Sequence, residues 1–159
     1  MKQKKIVLGL AQLDDTYSLN PNKNEINKVM KVCIKNNIKY FDYSIGYSKR
    51  LPVFPGNSKI LLKIPLNKAL SISKIQDLIK NILKKKVQIE AISLHNPNKK
   101  SLSIYKYKID ELINLKKKFK IKKFGISIYS FDELKDCVKK INKVDIVQLP
   151  INILDNRIC

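Results

Sequence analysis

Six short β-rich runs, all but the second and the last followed by a helical pattern, constrain this sequence more than any other feature. The runs are Lys5–Leu10, Lys39–Ser44, Ile60–Pro65, Ile89–His95, Lys123–Ile128 and Asp145–Leu149. Between them apolar residues recur at helical spacing. One helix is read from Ile26, Val29, Met30, Cys33 and Ile34, and another from Ile72, Ile75, Leu78, Ile79, Ile82 and Leu83. Ser71 or Ser73 can cap the second. A long pattern covers Ile104–Phe119, and Ser130 with Glu133 forms a capping box ahead of Leu134, Val138 and Ile141. Strand, helix, strand with short connections predicts an α/β chain: a parallel sheet covered by helices. A doubly wound sheet and a (β/α)8 barrel both fit. The first would carry a glycine-rich turn after strand one; here that turn is "GLAQLDDTYSLNPN", and the chain holds four glycines. The expected fold is therefore a partial (β/α)8 TIM barrel of about six parallel βα units, with the last two strands missing, as one domain over residues 1–159.

The runs turn polar toward their C-terminal ends. Asp42 ends the second, Lys63 lies in the third, His95 ends the fourth, and Ser127 and Gln148 lie late in the fifth and sixth. In a parallel βα array these ends share one face, where a barrel's active site sits. Each residue alone has a structural explanation. Asp42 can cap a turn, Lys63 is one lysine among 31, and His95 before Asn-Pro suits a loop. Tyr47 can be a half-buried aromatic, and Gln148 can satisfy backbone groups. Their shared position favours function. Asp, Tyr, Lys and His at one mouth suit carbonyl reduction. Hydride addition leaves negative charge on oxygen that must be protonated. A tyrosine hydroxyl can do this if a neighbouring ammonium lowers its pKa from about 10. On this reading Tyr47 is the acid, Lys63 tunes it, Asp42 anchors Lys63, and His95 orients the carbonyl. No side chain donates hydride, so a nicotinamide is required.

The net charge of +20 suggests nucleic acid, but composition argues otherwise. Only Arg50 and Arg157 are arginines, and Lys, Ile and Asn make up 70 of 159 residues. All three have AT-rich codons, so genome bias accounts for the lysines, while arginine, the preferred reader of bases and phosphates, is scarce. No specific nucleic-acid partner is expected. No run of eighteen apolar residues points to a membrane span. The opening "MKQKKIVLGLAQL" reads as a first strand rather than a signal peptide. Cys33, Cys137 and Cys159 form neither a disulfide framework nor a metal cluster, which suits a reducing cytoplasm.

At this point the sequence resembles the aldo-keto reductases, in particular a bacterial branch. "DYSIGYS" is similar to the family's D-T-A-x-x-Y-G, keeping Asp42 and Tyr47. "LLKIP" resembles its third-strand T-K segment at Lys63, and "ISLHNP" its fourth-strand histidine segment at His95. "FGISIYS" resembles G-[IV]-S, and "VQLPINILDNR" resembles Q-x-x-[YF]-N-x-[LI]-x-x-R. The resemblance implies a catalytic tetrad of Asp42, Tyr47, Lys63 and His95. It also implies that Ser127 and Gln148 hold the nicotinamide carboxamide, with NADP(H) as cofactor, NAD(H) as the alternative, and a small aldehyde or ketone as substrate. Where the family has Asn after the strand-five serine, this chain has Ile128. The loop from Tyr47 to Lys63 lacks the family's helix. The strands that grip the cofactor's phosphates belong beyond Cys159. Two readings follow. One is a reductase whose chemistry needs a C-terminal portion. The other is an inactive barrel fragment acting as a binding or assembly module, with self-association through its open sheet edges.

Overall fold

The computed structural model describes residues 6–13, 21–45 and 53–152. Six strands form one parallel sheet in sequence order: β1 (Val7–Gly9), β2 (Tyr40–Ser44), β3 (Lys59–Pro65), β4 (Gln88–His95), β5 (Lys123–Ser127) and β6 (Ile146–Gln148). Among the described residues five α-helices accompany them: α1 (Lys23–Lys35), α2 (Ile72–Lys84), α3 (Lys99–Ile104), α4 (Lys106–Lys118) and α5 (Phe131–Lys140). This is the α/β architecture of a partial barrel, a curled sheet with helices on its outside.

Local chemistry sets the helix boundaries. Asn22 accepts from the Asn24 and Glu25 amides at 2.9 and 3.1 Å, and Glu25 returns a bond to the Asn22 amide at 2.7 Å. Ser71, rather than Ser73, caps α2, and Ser130 with Glu133 forms the expected box on α5. Three helices end through a left-handed residue, at Asn37, Lys86 and Lys120, with φ of 54°, 58° and 53°. Such positions favour glycine, which this chain hardly uses. The helix read over Ile104–Phe119 is α4, and a short helix that was not read, α3, precedes it, opened by a capping box between Asn98 and Ser101 and meeting α4 at Tyr105.

The sheet has two unlike faces. Phe41, Ile60, Leu62, Ile64, Ile92, Leu94 and Ile126 join the helical side chains Met30, Cys33, Ile75, Ile79, Ile82 and Leu112 in one buried apolar core. Burial of one such isoleucine contributes about 1.5–3 kcal/mol. Two of the apolar residues at helical spacing lie outside that core: Ile34 and Val138 are 62% and 60% exposed. The helices are narrower amphipaths than their apolar residues suggest, because each needs only one stripe to cover the sheet.

The other face carries the polar residues. Of the buried polar side chains, Asp42, Ser44, Lys63, Ser93 and Ser127 all lie on it by strand alternation. A register shift at Glu90, between the pairs of Ile60 and Leu61, keeps the phase right. Because of it Ala91, Ser93 and His95 stand opposite Leu61, Lys63 and Pro65. Gly125 also faces inward. A Cβ there would lie 2.5 Å from Ser93 Oγ and 3.0 Å from the Ile146 carbonyl, so the close approach of β4, β5 and β6 requires glycine.

Candidate active site

The site is built from the C-terminal halves of β2 to β6. Register places Ser44 beside Lys63 and Lys63 beside Ser93. One step higher it places Pro65, His95, Ser127 and Gln148 in a row across four strands. Lys63 Nζ donates to Asp42 Oδ2 at 2.8 Å, with both side chains about nine-tenths buried. Gln148 Nε2 donates to the same oxygen at 2.9 Å. A carboxylate can only accept, so the amide nitrogen must face it. The other oxygen, Asp42 Oδ1, is buried and has no hydrogen-bond partner among the described residues.

Strands β2 and β6 are not neighbours; three strands separate them in the sheet. At the spacing of about 4.8 Å between neighbouring strands, a flat sheet would hold them roughly 19 Å apart. The bond from Gln148 to Asp42 therefore runs across the inside of the curl, and it brings β2 and β6 to one point.

His95 is fixed from two sides. Its Nδ1 lies 2.9 Å from Ser44 Oγ. The next residue, Asn96, takes a left-handed backbone (φ 50°) and donates its amide to the Ser127 carbonyl at 2.9 Å, turning the chain off the strand end. Asparagine tolerates this conformation better than most residues. Burial holds the His95 pKa below the ordinary histidine value, and the nearby Lys63 ammonium pushes it the same way, while Asp42 opposes them. The imidazole is therefore neutral near pH 7.

Of the residues singled out from sequence, Asp42, Lys63, His95, Ser127 and Gln148 share this inner face, and Tyr47 lies outside the described residues. Ser44 and Ser93 also line the face, although neither carried a role in the sequence reading. Alternation from Asp42 and from His95 marks them, but serine gives no chemical signal of its own. Among the described residues no group of three or more His, Cys, Asp or Glu is placed to hold a metal, and no helix is long and apolar enough to cross a membrane.

A buried Asp–Lys pair and a neutral histidine lie together on the inner, C-terminal face of a curled parallel sheet, the face that carries the active site in barrel enzymes. The profile of the aldo/keto reductase family matches residues 5–158, and the chain belongs to that family. Its members in general reduce carbonyl groups with nicotinamide cofactors. Among solved structures, a Pseudomonas aeruginosa protein described as a presumed aldo-keto reductase is similar, with a TM-score of 0.63 at 14% identity. That match covers 95% of this chain and 64% of the other, so this chain spans less than two thirds of that structure. At such identity the likeness speaks for the fold. No curated protein matches the sequence.

Proposed function

We propose that these residues form the catalytic half of an NAD(P)H-dependent carbonyl reductase, completed by barrel elements C-terminal to residue 159. The observation that carries this reading is the Lys63–Asp42 ion pair, buried at 2.8 Å on the inner face beside a neutral His95. Tyr47 is the proton donor to the developing alkoxide. Lys63 stabilises the phenolate that remains, Asp42 holds Lys63 in place, and His95 orients the carbonyl oxygen.

A nicotinamide, when bound, supplies the hydride. Ser127 and Gln148 suit its carboxamide. The serine offers a hydroxyl, and Gln148, with its nitrogen turned to Asp42, keeps Oε1 as an acceptor for an amide N–H. Ile128 offers no polar side chain where the family pattern has asparagine. NADP(H) is the preferred cofactor on family grounds, with NAD(H) as the alternative, and the substrate is a small aldehyde or ketone. The residues act as one incomplete barrel domain, in a cytoplasm whose reducing conditions suit the buried free thiols Cys33 and Cys137.

A second reading rests on the sheet edges. Among the described residues β1 and β6 each pair with a single strand of the sheet, and Val147 is exposed. Open edges favour association, so an inactive barrel fragment serving as an assembly module is the alternative.

The test is NADPH fluorescence titration and aldehyde-dependent NADPH oxidation. It is run on the 159-residue chain and on the longest natural reading frame that contains it. Activity of the longer chain that falls at least about a hundredfold in Tyr47→Phe supports the assignment. A longer chain that neither binds nor oxidises NADPH, or a Tyr47→Phe variant with full activity, refutes it. A stable oligomer of the 159-residue chain without cofactor affinity favours the alternative.

A further inference from the structure

Asp42 accepts two hydrogen bonds from different sides of the curl, and both end on the same oxygen. Lys63 Nζ reaches Oδ2 at 2.8 Å from the neighbouring strand β3, and Gln148 Nε2 reaches it at 2.9 Å from β6. Oδ1 is buried and meets no donor among the described residues. The direction of the Gln148 bond follows from its partner, because an ionised carboxylate has no hydrogen to give. The orientation of the carboxylate therefore rests on two donors at one atom.

We infer that Gln148 is a positioning residue that holds the Asp42 carboxylate, and through it the Lys63 ammonium, at one place on the inner face. Three observations carry this. With the ammonium alone, a carboxylate can turn about its Cβ–Cγ bond, a soft torsion, and exchange one oxygen for the other. A second donor on Oδ2, arriving from across the curl, removes that freedom. The backbone brings Gln148 to this point: β6 pairs with β5 from Ile146 to Gln148, and the Gln148 carbonyl accepts the Ile128 amide at 2.9 Å. The side-chain amide thus reaches Asp42 from a fixed support. Asp42 and Lys63 are also about nine-tenths buried, where a hydrogen bond to a charged acceptor is stronger than in water.

The inference deepens the reductase reading, on which its catalytic meaning rests. There Lys63 tunes the proton donor, through a charge interaction that weakens with distance, so the place of the ammonium matters. Gln148 then serves twice: Oε1 suits the carboxamide, and Nε2 acts through Asp42 without touching substrate or cofactor.

The test is reductive methylation of the 159-residue chain, with each lysine followed by mass spectrometry. Gln148→Met keeps the length of the side chain and loses the donor. Lys63 is expected to react about tenfold faster in it, the factor for a lost hydrogen bond to a charged group. Lys108, buried against the Asn67 and Leu70 carbonyls, reports general loosening and is expected to keep its wild-type rate. Ile146→Ala weakens the same strand and removes no hydrogen-bond donor. At a matched loss of stability it is expected to leave the Lys63 rate unchanged. An unchanged Lys63 rate in a folded Gln148→Met chain overturns the inference. So does equal acceleration of Lys63 and Lys108 in that chain, or of Lys63 in the two variants. A measurement on the wild-type chain requires no variant to fold. NMR is expected to show a Gln148 side-chain amide hydrogen that exchanges slowly with water, and rapid exchange of both hydrogens overturns the inference as well. None of these readouts depends on turnover. An inactive longer chain in which the Lys63 rate still answers to Gln148 defeats the reductase reading and leaves the Gln148 assignment standing.

Discussion

Removing the cation from the inner face is the sharpest test of how the site is held. In Lys63→Met the Asp42 carboxylate loses its 2.8 Å partner and keeps one neutral donor, Gln148 at 2.9 Å. Breaking a buried pair at one end typically costs about 3–5 kcal/mol, because the remaining charge stays desolvated. The surviving amide bond places this case near the lower figure, about 3 kcal/mol. That is a large part of the roughly 5–15 kcal/mol that a domain has in total. For a chain of this size it corresponds to a fall of about 6–12 °C in Tm. Urea unfolding followed by circular dichroism, with matched thermal scans, measures it. The double variant Lys63→Met/Asp42→Leu removes both charges and replaces them with apolar volume, and it is expected to recover to within about 2 kcal/mol of wild type. A Lys63→Met loss below about 1 kcal/mol would mean that the pair is effectively solvated and the electrostatic argument for the site is wrong. A double variant no more stable than the single one would refute it too.

Three further outcomes are expected. Gly125→Ala places a methyl 2.5 Å from Ser93 Oγ and 3.0 Å from the Ile146 carbonyl. The serine can rotate away but the backbone cannot, so a loss of about 1–3 kcal/mol in urea unfolding is expected, only partly relieved by adding Ser93→Ala. His95 has its folded pKa depressed below 6.5, so the unfolded chain binds the extra proton first. Its contribution to stability is complete above pH 6.5 and is lost as pH falls through the folded pKa. Urea midpoints between pH 5 and 8 in wild type and His95→Gln check this, the variant showing the flatter acid limb. Lys120→Gly relieves a left-handed lysine (φ 53°) at the end of α4 and should stabilise the chain by about 1 kcal/mol, read from the shift in urea midpoint at constant slope.

The strands were legible because their period is two and their ends carry rare residue types. Asp42, the single histidine and Gln148 stand out in a sequence dominated by lysine, isoleucine and asparagine. Lys63 does not stand out by composition; only its place late in a strand marks it. The exposure of Ile34 and Val138 could not be read from spacing, since a helical pattern counts apolar residues and does not show how wide a stripe the sheet can cover. The short helix α3 was not read because its six residues, "KKSLSI", are too few to show a helical period, although Asn98 and Ser101 form a capping signal. Lys108 shows the other limit. It is buried, with its ammonium on the Asn67 and Leu70 carbonyls at 2.6 Å each and over the Tyr105 ring. In a chain with 31 lysines no local signal separates it from the solvated ones.

The pairings across the curl were the least legible part, and they connect the fold to the site. A parallel sheet is normally buried on both faces, yet the inner face here carries Asp42, Ser44, Lys63, Ser93 and Ser127. Laid flat, that face would set Asp42 and Gln148 far apart, and each would need water in place of the other. Curling lets one carboxylate oxygen accept from both β3 and β6, so groups that would be costly to bury singly satisfy each other. Two things drive the curvature: the apolar core on the outside, and this polar junction within. The same residues therefore serve the fold and the proposed chemistry. On that account a substitution at Gln148 should loosen β6 as well as disturb Asp42, because one hydrogen bond does both.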